Sequence, residues 1–260
     1  MNLTKYISPF SVVNKAERWT ILVVESLIGL GVWQLFGNSL IPGPIDIMLR
    51  VFSILTTASF WYNFMNSLTL TSVGMGISIG ISLLFAYASV VPVFTPITNL
   101  IMRLRYLTLT GLIFVFTLLT ANGSQLKLSL LLFGIIPFFV TSLMSVLHSI
   151  NPQEYELAKT LKMNPFQTLL EVIIIGRLDQ ALDVMRQNFA ISWMMITMVE
   201  GLSMSEGGLG TMIIKSNKYI DLHTVFALLV IIFTVGILFD FILKKLRQWI
   251  FPYTAIASRH

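Results

Sequence analysis

The chain has 260 residues, of which 55% are hydrophobic and only 11% are charged, and its mean hydropathy is +0.82. Soluble domains carry about 25% charged residues, so this composition excludes a water-facing globule and predicts an all-α membrane protein with several spans. The absence of cysteine excludes disulfides and thiolate metal sites, and the net charge of +5 is interpreted as loop charge beside a membrane, not as nucleic-acid binding.

Six hydrophobic stretches are predicted to cross the membrane. The first is too long for the apolar region of a signal peptide and has no small-residue cleavage pattern after it, so we expect it to be retained. In chain order the predicted spans are Trp19–Phe36, Ser67–Val90, Tyr106–Thr120, Leu126–Leu147, Gln187–Leu202 and Leu222–Leu243.

The segments between the spans define the predicted domain organisation. Residues 1–18 form an N-terminal cytoplasmic segment, 19–66 the first span with an external loop, 67–243 the core transmembrane domain, and 244–260 a cytoplasmic tail. The external loop is expected to hold an interfacial helix over Ile45–Phe64, and a glycine-rich loop is expected over residues 203–221. Within the second span, Ser72, Gly76 and Gly80 predict a face for close helix packing.

The distribution of basic residues orients the chain. With six spans and a cytoplasmic N-terminus, 13 of the 17 Lys and Arg residues fall on the cytoplasmic side and four fall outside. Because cytoplasmic loops are enriched in Lys and Arg, this split predicts that both termini are cytoplasmic. It also places the longest polar stretch of the second half, Asn151–Leu178, in the cytoplasm.

Asn151–Leu178 is predicted to form two short helices placed end to end. Asn151 precedes Pro152, and Asn164 precedes Pro165, so each pair offers an N-cap followed by a proline at the first helical position. Glu154 and Gln167 lie where a capping box places its third residue. A capped helix pair of mixed polarity between spans favours contact with a partner in water, although an ordinary loop would carry similar signals.

Common catalytic and metal-binding motifs are missing. The sequence has no GxxxxGK[ST] phosphate loop, no HExxH zinc motif and no GxSxG elbow. Its three histidines are far apart and share no ligand spacing. We therefore predict neither enzymatic activity, nor a bound cofactor, nor a metal site for this chain.

Four motifs together resemble the binding-protein-dependent permeases of type I ABC importers, most closely those for nitrate, sulfonates and taurine. Each motif alone is weak, but they occur in the family's order and on the expected sides of the membrane. The matching segments are Glu156-Leu157-Ala158 for the family's Glu-Ala-Ala loop, Ile41-Pro42-Gly43-Pro44 after the first span, Glu206-Gly207-Gly208-Leu209-Gly210 after the fifth, and Gly236 with Asp240 in the last.

The sequence also departs from the family at three places. Lys162 occupies the position of the loop glycine, where a left-handed backbone would cost a lysine about 1 kcal/mol. Ile175 replaces a proline, and Gly176 is expected to break the helix instead. Arg105 stands in the loop before the third span without the family's prolines.

The resemblance implies the partners of the chain. Such a permease pairs with a second copy or a related permease in the bacterial inner membrane, binds a cytoplasmic ABC ATPase, and receives solute from an external binding protein. It implies ATP hydrolysis in the separate ATPase subunit. The residues that the resemblance assigns to ATPase contact are Tyr155, Glu156, Ala158, Leu161 and Phe166.

The second to fifth spans are expected to line the solute pathway. Candidate lining residues are Ser78, Ser82, Thr117, Asn188 and Ser192, although a bond from each Ser or Thr to its own helix is the commoner arrangement. The expected solute is a small anion such as nitrate, a sulfonate, taurine or bicarbonate. No buried positive charge is evident in the spans, which favours a pathway that leaves specificity to the external protein.

Three alternatives remain open from the sequence. A permease for a thiamine-precursor-like or other solute would share the same motifs. A secondary transporter or channel would work without an ATPase, but only Glu25, Glu200 and Asp240 offer carboxylates inside the spans. An intramembrane enzyme would need motifs that the sequence lacks.

Overall fold

The computed structural model describes residues 14–37, 41–204 and 206–252, and these residues form helices joined by short turns, with no β-strand in the described ranges. The remaining parts of the predicted terminal segments and loops lie outside the described residues. The α-helices are α1 Lys15–Phe36, α2 Pro44–Leu55, α3 Ala58–Ala88, α4 Thr95–Arg103, α5 Leu109–Leu119, α6 Gly123–His148, α7 Pro152–Thr160, α8 Pro165–Thr168, α9 Leu178–Leu202, α10 Leu209–Lys218 and α11 Leu222–Ile250.

Four of these helices, α1, α3, α6 and α11, are long and apolar enough to cross a membrane. The third predicted span is different. A break at Leu107 and Thr108, both extended, separates α4 and a short 3-10 turn from α5, and the two parts meet at 113°. The 11-residue α5 is only about 16 Å long, so within the predicted span Tyr106–Thr120 the continuous helix is shorter than a bilayer is thick.

Helix α9 contains the fifth predicted span but begins nine residues earlier, at Leu178 rather than Gln187. Its first half carries charge that is tied to the last helix. Arg186 contacts Asp183 at 3.1 Å and Asp240 at 3.0 Å, and Arg247 of α11 contacts Asp183 at 2.9 Å. These ion pairs fix the start of α9 against the end of α11.

The core lies between α3, α6 and α9. Leu131, Ile135 and Phe139 of α6 and Ile196 of α9 have no exposed surface. Gly74 of α3 makes the close approach, since a Cβ there would lie 2.6 Å from Leu131 Cδ2.

The small residues predicted to form the packing face of the second span do not make the helix contact within this chain. A Cβ added at Gly76 or Gly80 would meet no atom within 4 Å, and Ser72 is exposed. The packed face instead carries Ser67, Thr71 and Gly74, because these residues follow helical spacing toward α6 and α9.

Two short helices complete the bundle and revise two predictions. The expected interfacial helix divides at Thr56 and Thr57 into α2 and the beginning of α3. The expected loop over 203–221 contains α10. Arg50 of α2 bonds Thr224 at 2.8 Å and Asp221 at 3.0 Å, so α2 is fastened to the beginning of α11.

Helix α1 lies apart from this core. Its spanning window is 0% buried, and near its end the Trp33 ring meets the Phe226 ring at 6.5 Å and the Gln34 side chain lies against Gly43. Glu25 is exposed near the middle of the helix. A helix that is apolar on all sides and not packed by its own chain is suited to lipid or to another membrane protein.

Candidate functional site

The segment Asn151–Leu178 begins with two capped helices, as predicted. Asn151 Oδ1 accepts from the Gln153 amide at 3.0 Å. Asn164 Oδ1 accepts from the Gln167 amide and Gln167 Oε1 accepts from the Asn164 amide, each at 2.9 Å, so the second capping box is complete. The caps satisfy amides that have no partner within the helix, and they fix where each helix starts.

Glu154 does not complete the first capping box. Its carboxylate instead pairs with the Arg177 guanidinium, 23 residues further along the chain. This ion pair joins the beginning of α7 to the end of the segment. The prediction for Glu154 is therefore wrong, and the reason is that a charged partner competes with the weaker bond to its own helix end.

Lys162 adopts a left-handed backbone with φ of 55°. Its amide donates to Lys159 O at 2.9 Å, and the Met163 amide donates to Ala158 O at 3.0 Å. This pair of bonds is the Schellman arrangement that ends many helices, usually with glycine in the left-handed position. The chain thus forms a left-handed turn at this position although the residue there is lysine and not glycine.

The segment then bends without a proline. A π-helix spans Leu169–Ile174, and a 3-10 turn spans Ile175–Arg177 before α9 begins. Gly176 lies close to the preceding turn, where a Cβ would be 3.0 Å from Glu171 O. The chain therefore changes helix type at Gly176 and remains helical, where a break of the helix was expected.

Six large apolar side chains of this segment are exposed, and the three most exposed are Leu157 at 59%, Leu161 at 62% and Phe166 at 81%. We call these three residues the coupling patch. Glu156 is exposed beside them. Exposed apolar clusters of this kind are typical of protein contact surfaces.

Two residues predicted to contact a partner lie differently. Ala158 is only 2% exposed, so it packs inside this chain, whereas Leu157 and Leu161 are exposed. Tyr155 is half-buried. Burial raises the pKa of the Tyr155 hydroxyl, and the neighbouring Glu154 charge raises it further.

Four of the five predicted lining residues are buried between α3 and α9. Ser78, Ser82, Asn188 and Ser192 have no exposed surface, whereas Thr117 is exposed on α5 and donates to Ile113 O at 2.7 Å. The hydroxyls of Ser78 and Ser82 have no hydrogen-bond partner in the described part of the chain. In this structure the four line no open cavity, because each is fully buried.

A second polar centre lies at the opposite end of the bundle, where α3 and α6 begin and α9 ends. Glu200 is 1% exposed, and its carboxylate accepts from Ser67 Oγ at 2.7 Å and from the Gly210 amide at 2.9 Å. Lys127 is 3% exposed and donates to Gly207 O at 2.7 Å. Burying these polar groups is tolerable only because each is hydrogen-bonded.

This centre holds the glycine motif Glu206–Gly210, which we call the glycine loop. Asn63 Oδ1 accepts from the Gly208 amide at 2.7 Å. Gly208 has φ of 117°, and a Cβ there would lie 2.2 Å from Glu200 Cδ. A Cβ on Gly210 would lie 2.1 Å from Thr197 O, so both positions have room for glycine alone.

Beside the glycine loop is a half-open cleft of about 380 Å³, which we call the glycine-loop cleft. Apolar side chains form much of its wall. Its described polar lining consists of Tyr62, Asn66, Thr69, Ser124, Lys127, Glu200, Glu206 and Gly207.

Sequence reasoning missed this centre as a site. It placed Lys127 among the loop charges and found no buried positive charge in the spans, which the structure corrects. The position of Lys127 offered a signal, because it lies about one turn inside the apolar helix that begins after Asn122. If that helix is buried, Lys127 is buried with it. Ser67 and Asn63 gave no signal, because Ser67 meets Glu200 across 133 residues and Asn63 meets Gly208 across 145.

Comparison with known proteins agrees with this architecture. The family model described as "Binding-protein-dependent transport system inner membrane component" matches residues 44–252. The putative aliphatic sulfonates transport permease protein SsuC of Bacillus subtilis (strain 168) is 23% identical over 237 residues, covering 85% of this chain and 84% of the relative.

A solved structure shares the fold. The match is to the MetNI methionine ABC transporter in inward facing conformations, with a TM-score of 0.60 and 17% identity, and it covers 78% of this chain and 95% of that one. Members of the matched family are multi-pass permeases of the bacterial inner membrane, and the ATPase activity of their transporters resides in a separate subunit. Because the family model covers most of the sequence, the chain belongs to the binding-protein-dependent inner membrane components and is a permease subunit of an ABC importer.

Proposed function

We propose that this permease forms half of a pathway that imports a small solute carrying an acid group, of the class that includes sulfonates, taurine, nitrate and bicarbonate. The permease assignment rests on the family. The solute class is supported by the likeness to a sulfonate permease at 23% identity over most of both chains.

The proposed topology has six crossings and cytoplasmic termini. Beyond the four long apolar helices, the third crossing is proposed for α5, which α4 precedes at a bend, and the fifth for the apolar half of α9. The distribution of Lys and Arg supports this orientation. It places the coupling patch in the cytoplasm and the glycine loop outside.

The coupling patch is proposed as the surface that binds the ATPase. Its three apolar side chains would fill a cleft in that subunit, and Glu156 at its edge would meet a basic or hydrogen-bonding group. The caps at Asn151 and Asn164 and the Glu154–Arg177 ion pair keep the segment rigid. Rigidity matters because the segment must pass a movement of the ATPase into α9, which follows it directly.

A second permease, in the proposed assembly, completes the pathway, and an external binding protein delivers solute at the glycine-loop end. Ser78, Ser82, Asn188 and Ser192 are proposed to face the solute when α3 and α9 separate. Such a movement would expose the Ser78 and Ser82 hydroxyls to water, which would satisfy them. Thr117 is proposed as a lining residue already accessible on α5.

Co-purification tests the coupling assignment. The tagged chain should retain an ABC ATPase after extraction in mild detergent, and Glu156→Arg should reduce its recovery at least about tenfold, because a charge at the edge of a desolvated contact is reversed. Glu171→Arg is the matched control, since Glu171 is also an exposed carboxylate of the same segment.

The control variant should recover as much ATPase as the unmodified chain. If a folded native chain recovers no ATPase, the importer assembly proposed here fails and a transporter or channel without an ATPase takes its place. Equal recovery by native chain and Glu156→Arg would remove Glu156 from the contact.

A further inference from the structure

The charges around the glycine-loop cleft argue against a site for a simple anion. Lys127 is the only basic residue among the described residues that line it, whereas two lining residues, Glu200 and Glu206, are acidic. Lys127 is buried and already donates to Gly207 O. The positive charge of Lys127 is therefore offset by Glu200 across the same buried centre, and no net positive charge remains for an anion.

Glu206 is the accessible charge of the cleft. It is exposed, while Lys127 and Glu200 are 3% and 1% exposed. Asn66 Nδ2 donates to Glu206 O at 2.9 Å and so holds its backbone at the cleft wall. A solute that enters meets this carboxylate together with neutral donors from Tyr62 and Ser124.

The backbone of Glu206 is strained. Its φ of 66° begins a run of three left-handed residues, and the other two, Gly207 and Gly208, are glycines. A non-glycine residue in this region costs about 1 kcal/mol or more, and such strain concentrates at functional sites. Glu206 destabilises the folded chain relative to glycine at this position, so we infer that its carboxylate has a functional role.

We propose that the glycine-loop cleft binds a small zwitterionic solute whose protonated amine pairs with Glu206, and that it disfavours a simple anion of the same size. The acid group of the zwitterion accepts hydrogen bonds from the neutral donors of the cleft. An aminoalkanesulfonate such as taurine has this chemistry, whereas ethanesulfonate has the same acid without the amine. This inference rests on the proposed function, which it narrows from acid-bearing solutes to those that also carry an amine.

A single cysteine in the cleft tests the charge directly, because the chain has no cysteine of its own. Thr69→Cys places a thiol on an exposed lining position. The purified variant is labelled with methanethiosulfonate reagents that carry either a trimethylammonium or a sulfonate group, and each rate is divided by its rate with a free small thiol. The cationic reagent should be favoured about fivefold or more, as expected for one carboxylate beside the thiol in a half-solvated site.

Two changes at Glu206 serve as variants. Glu206→Gln in the Thr69→Cys background should bring the ratio close to one. Glu206→Gly should do the same, and it relieves the backbone strain, so a folding defect cannot explain its result. Asn217→Cys, an exposed position next to Lys218 and remote from the cleft, is the matched control and should be insensitive to both changes.

Solute protection completes the test. Taurine should slow the labelling of Thr69→Cys, whereas ethanesulfonate at the same concentration should not, and Glu206→Gln should abolish the protection. The proposal would be overturned if the thiol of Thr69→Cys reacted faster with the sulfonate reagent than with the cationic one. Equal protection by taurine and ethanesulfonate, or protection by neither, would overturn it as well. None of these measurements needs the ATPase, so their failure is distinct from a failure of the importer assembly.

Discussion

At the scale of single residues, Lys162 shows how a strained backbone can be kept at a functional turn. Lys162, with φ of 55°, lies in the turn that ends α7. Leu157 and Leu161 of the coupling patch precede this turn, and Phe166 follows it. Lys162→Gly should raise the free energy of unfolding by about 1 kcal/mol, because glycine adopts this conformation without the Cβ clash. Unfolding of the solubilised chain by added denaturing detergent measures the change.

Lys159→Gly is the control for that prediction. Lys159 lies within α7 in a right-handed helical conformation, so the same chemical change should lower stability by about 1 kcal/mol. If both variants lose stability alike, the left-handed turn at Lys162 carries no strain and the interpretation of this position is wrong.

The residues that could be predicted from sequence are those whose partners are close in sequence. Asn164 and Gln167 complete a capping box within four residues, so their types and spacing were sufficient. The capping-box prediction for Glu154 failed because its partner, Arg177, is 23 residues away. The burial of Lys127 was missed because its partner, Gly207, is 80 residues away. Long-range polar contacts depend on how helices pack, which spacing along one helix does not encode.

At the scale of helices, Asp221 joins two elements by charge. It caps α11 through the Thr224 amide at 3.1 Å and pairs with Arg50 of α2 at 3.0 Å. Burial opposes its ionisation, but the hydrogen bonds from Thr224 and the Arg50 charge outweigh burial and hold the pKa of this carboxyl below its usual value. The ionised form is therefore the one that stabilises the folded chain.

A dependence of stability on pH follows from that pKa. Between the lowered pKa of Asp221 in the folded chain and its unfolded value of about 3.9, the unfolded chain binds more protons than the folded chain. The contribution of Asp221 to the free energy of unfolding is therefore complete above this range and is lost as the pH falls through it. Asp221→Asn should lower the unfolding midpoint near neutral pH and flatten its decline below about pH 4. Asp46→Asn, at another exposed carboxylate of the same end, should leave the decline attributed to Asp221 in place.

Hydropathy predicted where helices lie better than what shape they take. It placed the cores of α3, α6 and α11 correctly, because an apolar run long enough to span a bilayer has few other structures available. It could not predict the 113° bend before α5 or the π-helix before α9. Both are changes of backbone dihedral angle within apolar sequence, and the hydrophobic pattern carries little information about them.

At the scale of the whole molecule, the two ends of one bundle carry separate proposed tasks. In this proposal the coupling patch binds the ATPase at one end, and the glycine-loop cleft binds the solute at the other. Helices α3 and α9 run between them, with Ser78, Ser82 and Asn188 buried along their contact. A movement of the Asn151–Leu178 segment would reach the glycine loop through α9, whose Glu200 holds that loop.

The most direct test of this division of tasks is photo-crosslinking from two exposed aromatic positions at opposite ends. Phe166 is 81% exposed on the coupling patch, and Tyr219 is 80% exposed after α10. Each is replaced in turn by p-benzoylphenylalanine, which preserves its aromatic character, and the chain is irradiated in native membranes. We predict a crosslink to an ABC ATPase from position 166 and none from position 219, and a crosslink from 219 alone, or from neither, would contradict the assignment of the coupling patch.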